Sequence, residues 1–142
     1  MGFETLAAIT GNIENALKNE GLNVVRKTLD LRGSLPAAMM PLAQVSFKGE
    51  SFENTFGERP SRAEAAFALR IIIPERPENQ ELREEQMWAH RAREALTGEA
   101  LNAGELASSK PVMKVILEGF EVESGGGFSR ITMEVKARYR ES

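Results

Sequence analysis

The last stretch of the chain, Arg130-Ile131-Thr132-Met133-Glu134-Val135-Lys136-Ala137-Arg138-Tyr139-Arg140, alternates apolar and polar residues without a break. A strand turns successive side chains to opposite faces, so Ile131, Met133, Val135, Ala137 and Tyr139 share one face, and Arg130, Lys136, Arg138 and Arg140 make the other basic. Upstream, Val112 to Val122 reads as a second strand. Ser124-Gly125-Gly126-Gly127 between them supplies residues that tolerate positive φ in a tight reversal. A chain that ends in such a hairpin has a one-sided sheet, and something must pack on its apolar back.

The rest of the chain supplies that layer. From Phe3 to Glu20, Leu6, Ile9, Ile13, Ala16 and Leu17 recur at helical spacing, with Asn12, Glu14, Asn15 and Lys18 elsewhere and Gly21 as the closing residue. From Asn79 to Leu96, Leu82, Ala89, Ala92 and Leu96, with Trp88 and Ala95 alongside, mark a second amphipathic helix, which Gly98 is expected to stop. Helices of this length draw most of their stability from burying one face, and the sheet is the expected partner.

Between the helices the pattern is less even. Leu22 to Leu31 contains Val24-Val25 and reads as a short strand, before Gly33, Ser34 and Pro36 break regular structure. Pro41 to Lys48 alternates Ala43, Val45 and Phe47 against Gln44, Ser46 and Lys48, a strand with proline tolerated at its start. Ala63 to Ile73 admits two readings. Ser61-Arg62-Ala63-Glu64 matches a capping box and the alanines favour helix. Against that, Ala65, Phe67, Leu69, Ile71 and Ile73 alternate, and the β-branched run Ile71-Ile72-Ile73 ending at Pro74 favours a strand.

As a strand, this segment pairs with the Ala43 strand across a long connection, Gly49 to Arg62, which carries Phe52 and Phe56. Those phenylalanines, with Met39 and Met40 in the preceding loop, either fold back on the core or stand exposed as interface anchors. Thr97 to Lys110 is a small, polar linker with room for one helical turn. The expected architecture is α+β: an antiparallel or mixed sheet backed by two amphipathic helices, in the order α-(β)-β-β-α-β-β, with a long loop in the central hairpin.

Composition narrows the functional classes. The 142 residues suit one domain, 1–142, burying roughly 68–70% of its unfolded surface. With no cysteine, disulfides, thiolate chemistry and cysteine-based zinc sites are excluded. The start, Met1-Gly2-Phe3-Glu4-Thr5-Leu6, has no signal-peptide pattern and lacks the hydroxyl residue that myristoylation wants, and no apolar run suggests a membrane span. A net charge of −3 argues against a domain whose main work is neutralising phosphates, so specific nucleic-acid binding is not expected.

Catalytic motifs are sparse. His90 is the only histidine and falls on a charged helix face, so no triad is expected from it. Glu81, Glu84 and Glu85 lie beside Arg83 and Arg91, the pattern of a salt-bridged helix surface rather than of a general acid and base. Ser109-Lys110 is not an SxxK motif. Gly125-Gly126-Gly127 lacks the lysine and the strand-to-helix context of a phosphate loop. Neither a cofactor nor a metal site is expected, which leaves a binding or assembly protein.

This sequence of elements resembles the tail terminator and minor tail (tail completion) proteins of long-tailed bacteriophages and prophages. The likeness rests on the N-terminal helix, the Ala43–Phe47 and Ala65–Ile73 strands around a polar loop, and the Leu82–Leu96 helix with its Ala95-Leu96-Thr97-Gly98 stop. The closing Ser129–Arg140 strand, ending in Tyr139-Arg140, completes it.

The resemblance implies a non-enzymatic virion subunit that forms a ring, often a hexamer, on the end of the tail tube and joins the head–tail interface. Its partners would be further copies of itself, the tail tube protein and a head–tail connector protein. It would be found in the host cytoplasm during assembly and then in the virion tail. On that reading Phe52, Phe56, Met39 and Met40 are candidate contacts, and Arg130, Lys136, Arg138 and Arg140 would meet an acidic neighbour. The alternative is a small-molecule-binding or enzymatic α+β domain with a pocket between helices and sheet.

Overall fold

A computed structural model describes residues 2–25, 40–53, 62–75 and 77–141. In chain order these form α1 (Gly2–Asn19), β1 (Asn23–Val25), β2 (Leu42–Glu53), β3 (Arg62–Pro74), α2 (Glu78–Ala95) and α3 (Gly98–Leu101). A 3₁₀ turn (Gly104–Leu106), β4 (Val112–Gly125) and β5 (Phe128–Arg140) complete the chain. The five strands make one sheet in the order β1-β2-β3-β5-β4, with β1 parallel to β2 and every other pair antiparallel. The class is α+β, as expected.

β3 lies at the centre, hydrogen-bonded to β2 on one side and β5 on the other. The contested segment is therefore a strand. Its alternation buries Ala63, Ala65, Phe67, Leu69, Ile71 and Ile73 on the face that carries the helices. A capping box offers one turn of local stabilisation, whereas this alternation buries every second side chain over the whole segment, and burial prevails. β5 does the same with Ile131, Met133, Val135, Ala137 and Tyr139. α1 contributes Ile9, Ile13 and Leu17, and α2 contributes Ala89 and Ala92, to this one core. The alanines of α2 let its backbone approach the sheet closely.

Gly21 ends α1 as its position suggests. With φ +94° it occupies the left-handed region, its N–H donates to the carbonyl of Lys18 at 3.0 Å, and that of Leu22 donates to Leu17 at 3.3 Å. This double closure, a Schellman motif, satisfies carbonyls that would otherwise be orphaned. The chain then enters β1, where the Asn23 N–H donates to the carbonyl of Pro41 at 3.0 Å.

Several expectations are corrected. The Gly49–Arg62 connection is not a long loop throughout. β2 continues to Glu53 and β3 starts at Arg62, so Phe52 is a strand residue opposite Ala63. A register shift between Phe47 and Gly49 makes this possible, with Gly49 at φ +146° taking up the irregularity. The bulge rephases the strand, and Glu50 and Phe52 then face the same way as Phe47. Phe47, read as inward-facing, is 51% exposed. Gly98 does not stop α2: the helix ends at Ala95 with Leu96 as its cap, and Gly98 opens α3, where Thr97 Oγ1 accepts from the Ala100 N–H at 3.1 Å. The expected short strand beyond Val25, together with Met39, Phe56 and the capping-box Ser61, lies outside the described residues, as do the side chains of Glu81 and Leu82.

Candidate functional site

The basic stripe of β5 is real in placement and largely neutralised in fact. Thr132 and Glu134 share its face. Arg138 Nε donates to Glu64 at 2.6 Å across the β3–β5 pair, and Lys136 lies 3.6 Å from Glu134. Arg130 lies 3.7 Å from Glu123 on β4, and its Nε is buried with no hydrogen-bond partner. Arg140 donates to the carbonyls of Ser109 and Lys110 at 3.0 and 3.1 Å, which anchors the linker before β4 to the end of β5. Ion pairs at least partly open to solvent, such as these three, contribute only about 0–1 kcal/mol each to stability. They also leave less free positive charge than the sequence implies.

The carboxylates divide differently from their sequence pattern. Glu85, expected on a salt-bridged surface, is buried and accepts a hydrogen bond from the Ser129 hydroxyl at the start of β5. Ser124 Oγ stands 3.5 Å from Ser129 Oγ, so the contact ties α2 to the turn end of the terminal hairpin. Glu14 is buried as well. Glu50 accepts from the hydroxyl of the buried Tyr139, linking the extended arm of β2 to β5 across β3. Burial, reinforced by the Glu50 carboxylate that holds its proton, raises the Tyr139 phenol well above its ordinary range. Glu85 and Glu50 are thus each aimed at another part of the fold rather than into a common cleft.

Polar side chains perform the same task at the far end of the core. Asn12 Nδ2 on α1 donates to the carbonyls of Leu101 and Ala103 at 2.8 and 3.0 Å. Asn102 exchanges two hydrogen bonds with the backbone of Val112, at 3.0 and 2.9 Å, a side-chain mimic of strand pairing that fixes where β4 begins. His90 is exposed and sets its ring edge-to-face against Phe120 at 6.4 Å. The Arg91 guanidinium lies over Trp88 at 5.2 Å. Among the described residues no group of three or more His, Cys, Asp or Glu is placed to hold a metal ion, and no helix is long and apolar enough to cross a membrane.

What the described surface offers instead is apolar residues along its flanks. Phe47 and Phe52, the latter 57% exposed, project from the same face of β2. Beyond Gln44 no described strand flanks this part of β2, because β1 pairs only as far as that residue. Phe120 and Val122, both 38% exposed, stand on the edge strand β4, and Met87 is exposed on α2. β4 is broken by two register irregularities, after Val112 and after Leu117, which kink the edge and hinder indiscriminate strand addition. Between α2 and that edge lies a depression of about 190 Å³, lined by Ala89, His90, Arg93, Leu117, Glu118, Gly119, Phe120 and Met133. A wider depression of about 660 Å³ crosses the helix-free face of the sheet over Lys48, Ala68, Thr132 and Glu134.

A chain of a gene transfer agent virion has a similar fold. The structure concerned is described as "Virion of native gene transfer agent (GTA) particle", and the likeness covers 94% of this chain and 92% of that one, with a TM-score of 0.56 and 15% sequence identity. No protein-family model and no curated protein matches the chain. At that identity the likeness is one of fold, over nearly the full length of both chains.

Of the residues singled out from sequence, Phe52 is exposed, Met40 is half-buried, and the four β5 cations lie on one sheet face engaged with nearby groups. Phe47, Phe120 and the α2–β4 depression were not singled out. Phe47 sits in an alternating run that reads as core, yet it is half exposed on the face that carries the helices.

Proposed function

We propose that the protein is a structural subunit of a phage-type particle, a tail terminator or minor tail subunit that forms a ring on the end of the tail tube and joins the head–tail interface. The observation that carries this reading is the fold shared, over almost the whole of both chains, with a chain of a gene transfer agent virion. The surface is consistent with it. Apolar side chains stand on opposite edges of one sheet, and a ring built from identical copies needs two different patches that meet head to tail.

In this role the partners are further copies of the chain, the tail tube protein and a head–tail connector protein. Assembly takes place in the host cytoplasm and the product resides in the virion tail. The polar groups described above act as fasteners of the fold, which accords with a protein that performs no chemistry. A small-molecule pocket between helices and sheet has less support, since that interface is filled by Ile9, Ile13, Leu17, Phe67, Leu69 and Val135.

The test is to add the purified chain to polymerising tail tube protein and measure tube lengths by electron microscopy. A terminator arrests growth and appears as a cap at one end. Tubes of unchanged length with bare ends contradict the assignment. Phe52→Ala together with Phe56→Ala is expected to weaken capping while the chain stays folded, and full capping by that variant removes these residues from the contact.

A further inference from the structure

Resting on the ring reading above, we infer that the contact between neighbouring copies is made by Phe47 of one copy entering the depression between α2 and β4 of the next. Four observations meet here. Phe47 is a preorganised knob: it is 51% exposed, yet its ring packs edge-to-face on the buried Phe67 at 5.7 Å, so little side-chain freedom remains to be lost on docking. It stands on the part of β2 that no described strand flanks.

On the opposite edge of the same sheet, the depression has a floor of Ala89, Leu117 and Met133 and a wall of Phe120, with His90 and Arg93 exposed beside it. Its volume, about 190 Å³, suits a phenyl ring, since an apolar cavity of about 150 Å³ accommodates benzene.

The third observation is level. Phe47 pairs with Phe67, Phe67 with Val135 and Val135 with Leu117, so knob and floor lie in one cross-strand row. A closed ring repeats its subunit by rotation without translation. When the strands run along the ring axis, only patches at equal height on the two flanks meet in the next copy, and these two are at equal height. Fourth, one pair of opposite charges lies near the contact: exposed Lys48 follows Phe47, and exposed Glu118 borders the depression, whose rim also carries Arg93.

The experiment exploits the absence of cysteine from the chain. Phe47→Cys and His90→Cys are introduced together, and each alone, and the proteins are oxidised with and without tail tubes. The double variant is expected to give a ladder of covalent oligomers on a denaturing gel that ends at the ring size, and neither single variant a comparable ladder. Separately, Phe47→Ala is expected to raise the concentration needed for ring formation by roughly thirtyfold, the loss typical of a central aromatic anchor. Its helix and sheet content, read by circular dichroism, should be unchanged.

Rings that form normally in Phe47→Ala and yield no ladder in the double variant overturn this contact and leave the ring reading standing. Crosslinked dimers from Phe47→Cys alone overturn the head-to-tail geometry. A wild-type chain that stays monomeric both in solution and on tubes overturns contact and ring together.

Discussion

Tyr139 carries more of the fold than its single place in the sequence suggests. Fully enclosed at the end of β5, it fills the core with its ring and donates its hydroxyl to Glu50, so it joins the last strand to the extended arm of the central hairpin. Tyr139→Phe removes the donor and leaves Glu50 without that partner, which should lower stability by about 1–3 kcal/mol in denaturant unfolding. The pH dependence has a definite sign. Because the folded state raises the phenol pKa, its contribution is intact below the unfolded value near pH 10 and declines as pH rises above it. Stability of the wild type should therefore fall more steeply above about pH 10 than that of Tyr139→Phe. Parallel curves for the two proteins would show that the hydroxyl has no such role. Glu85 teaches the same lesson from a different side: a glutamate between arginines reads as solvated, and only the proximity of Ser129, 44 residues away, reveals it as an internal acceptor.

At the level of elements, legibility followed the length and evenness of the pattern. α1, α2, β5 and the terminal turn are evident because burial on one side imposes an unbroken period, and β3 because its β-branched end outweighs its alanine-rich start. The outer arm of β2 was hidden. Its run Gly49-Glu50-Ser51-Phe52-Glu53 has weak strand propensity and a bulge that shifts its alternation, so it resembles loop. The cause of its order is long-range pairing with β3, which sequence periodicity does not report.

Gly49→Val should expose the dependence on this bulge, because a β-branched residue is strained at φ +146°. Hydrogen exchange should rise in Glu50–Glu53 and Arg62–Ala66 and remain low in β5, and unchanged exchange in the arm would mean that the bulge is dispensable. Gly21→Ala, at φ +94° and the Schellman closure, should cost about 1 kcal/mol, read as a fall in the thermal midpoint with no change in the sheet signal. A midpoint at or above that of the wild type would contradict the closure's contribution.

On the scale of the whole molecule, the interior holds the fold together and the contact proposed above falls on the flanks. Buried and half-buried polar groups fasten α1 to the α3 segment, α2 to the terminal hairpin, and β2 to β5. The flanks present Phe47 on one side and an apolar depression on the other, the asymmetry that head-to-tail assembly requires. The β5 cations, candidates for an acidic neighbour from the sequence, are each engaged within the chain in this structure, so the interface is expected to depend on aromatic packing more than on charge.

The measurement that tests this account most directly is molar mass by light scattering over a range of protein and salt concentrations, alone and after incubation with purified tail tubes, with negative-stain images of the same samples. The account predicts closed rings at an integral multiple of 15.7 kDa, near six copies, that persist in salt and cap the tubes. A 15.7 kDa species at every concentration that leaves tube ends bare would contradict it.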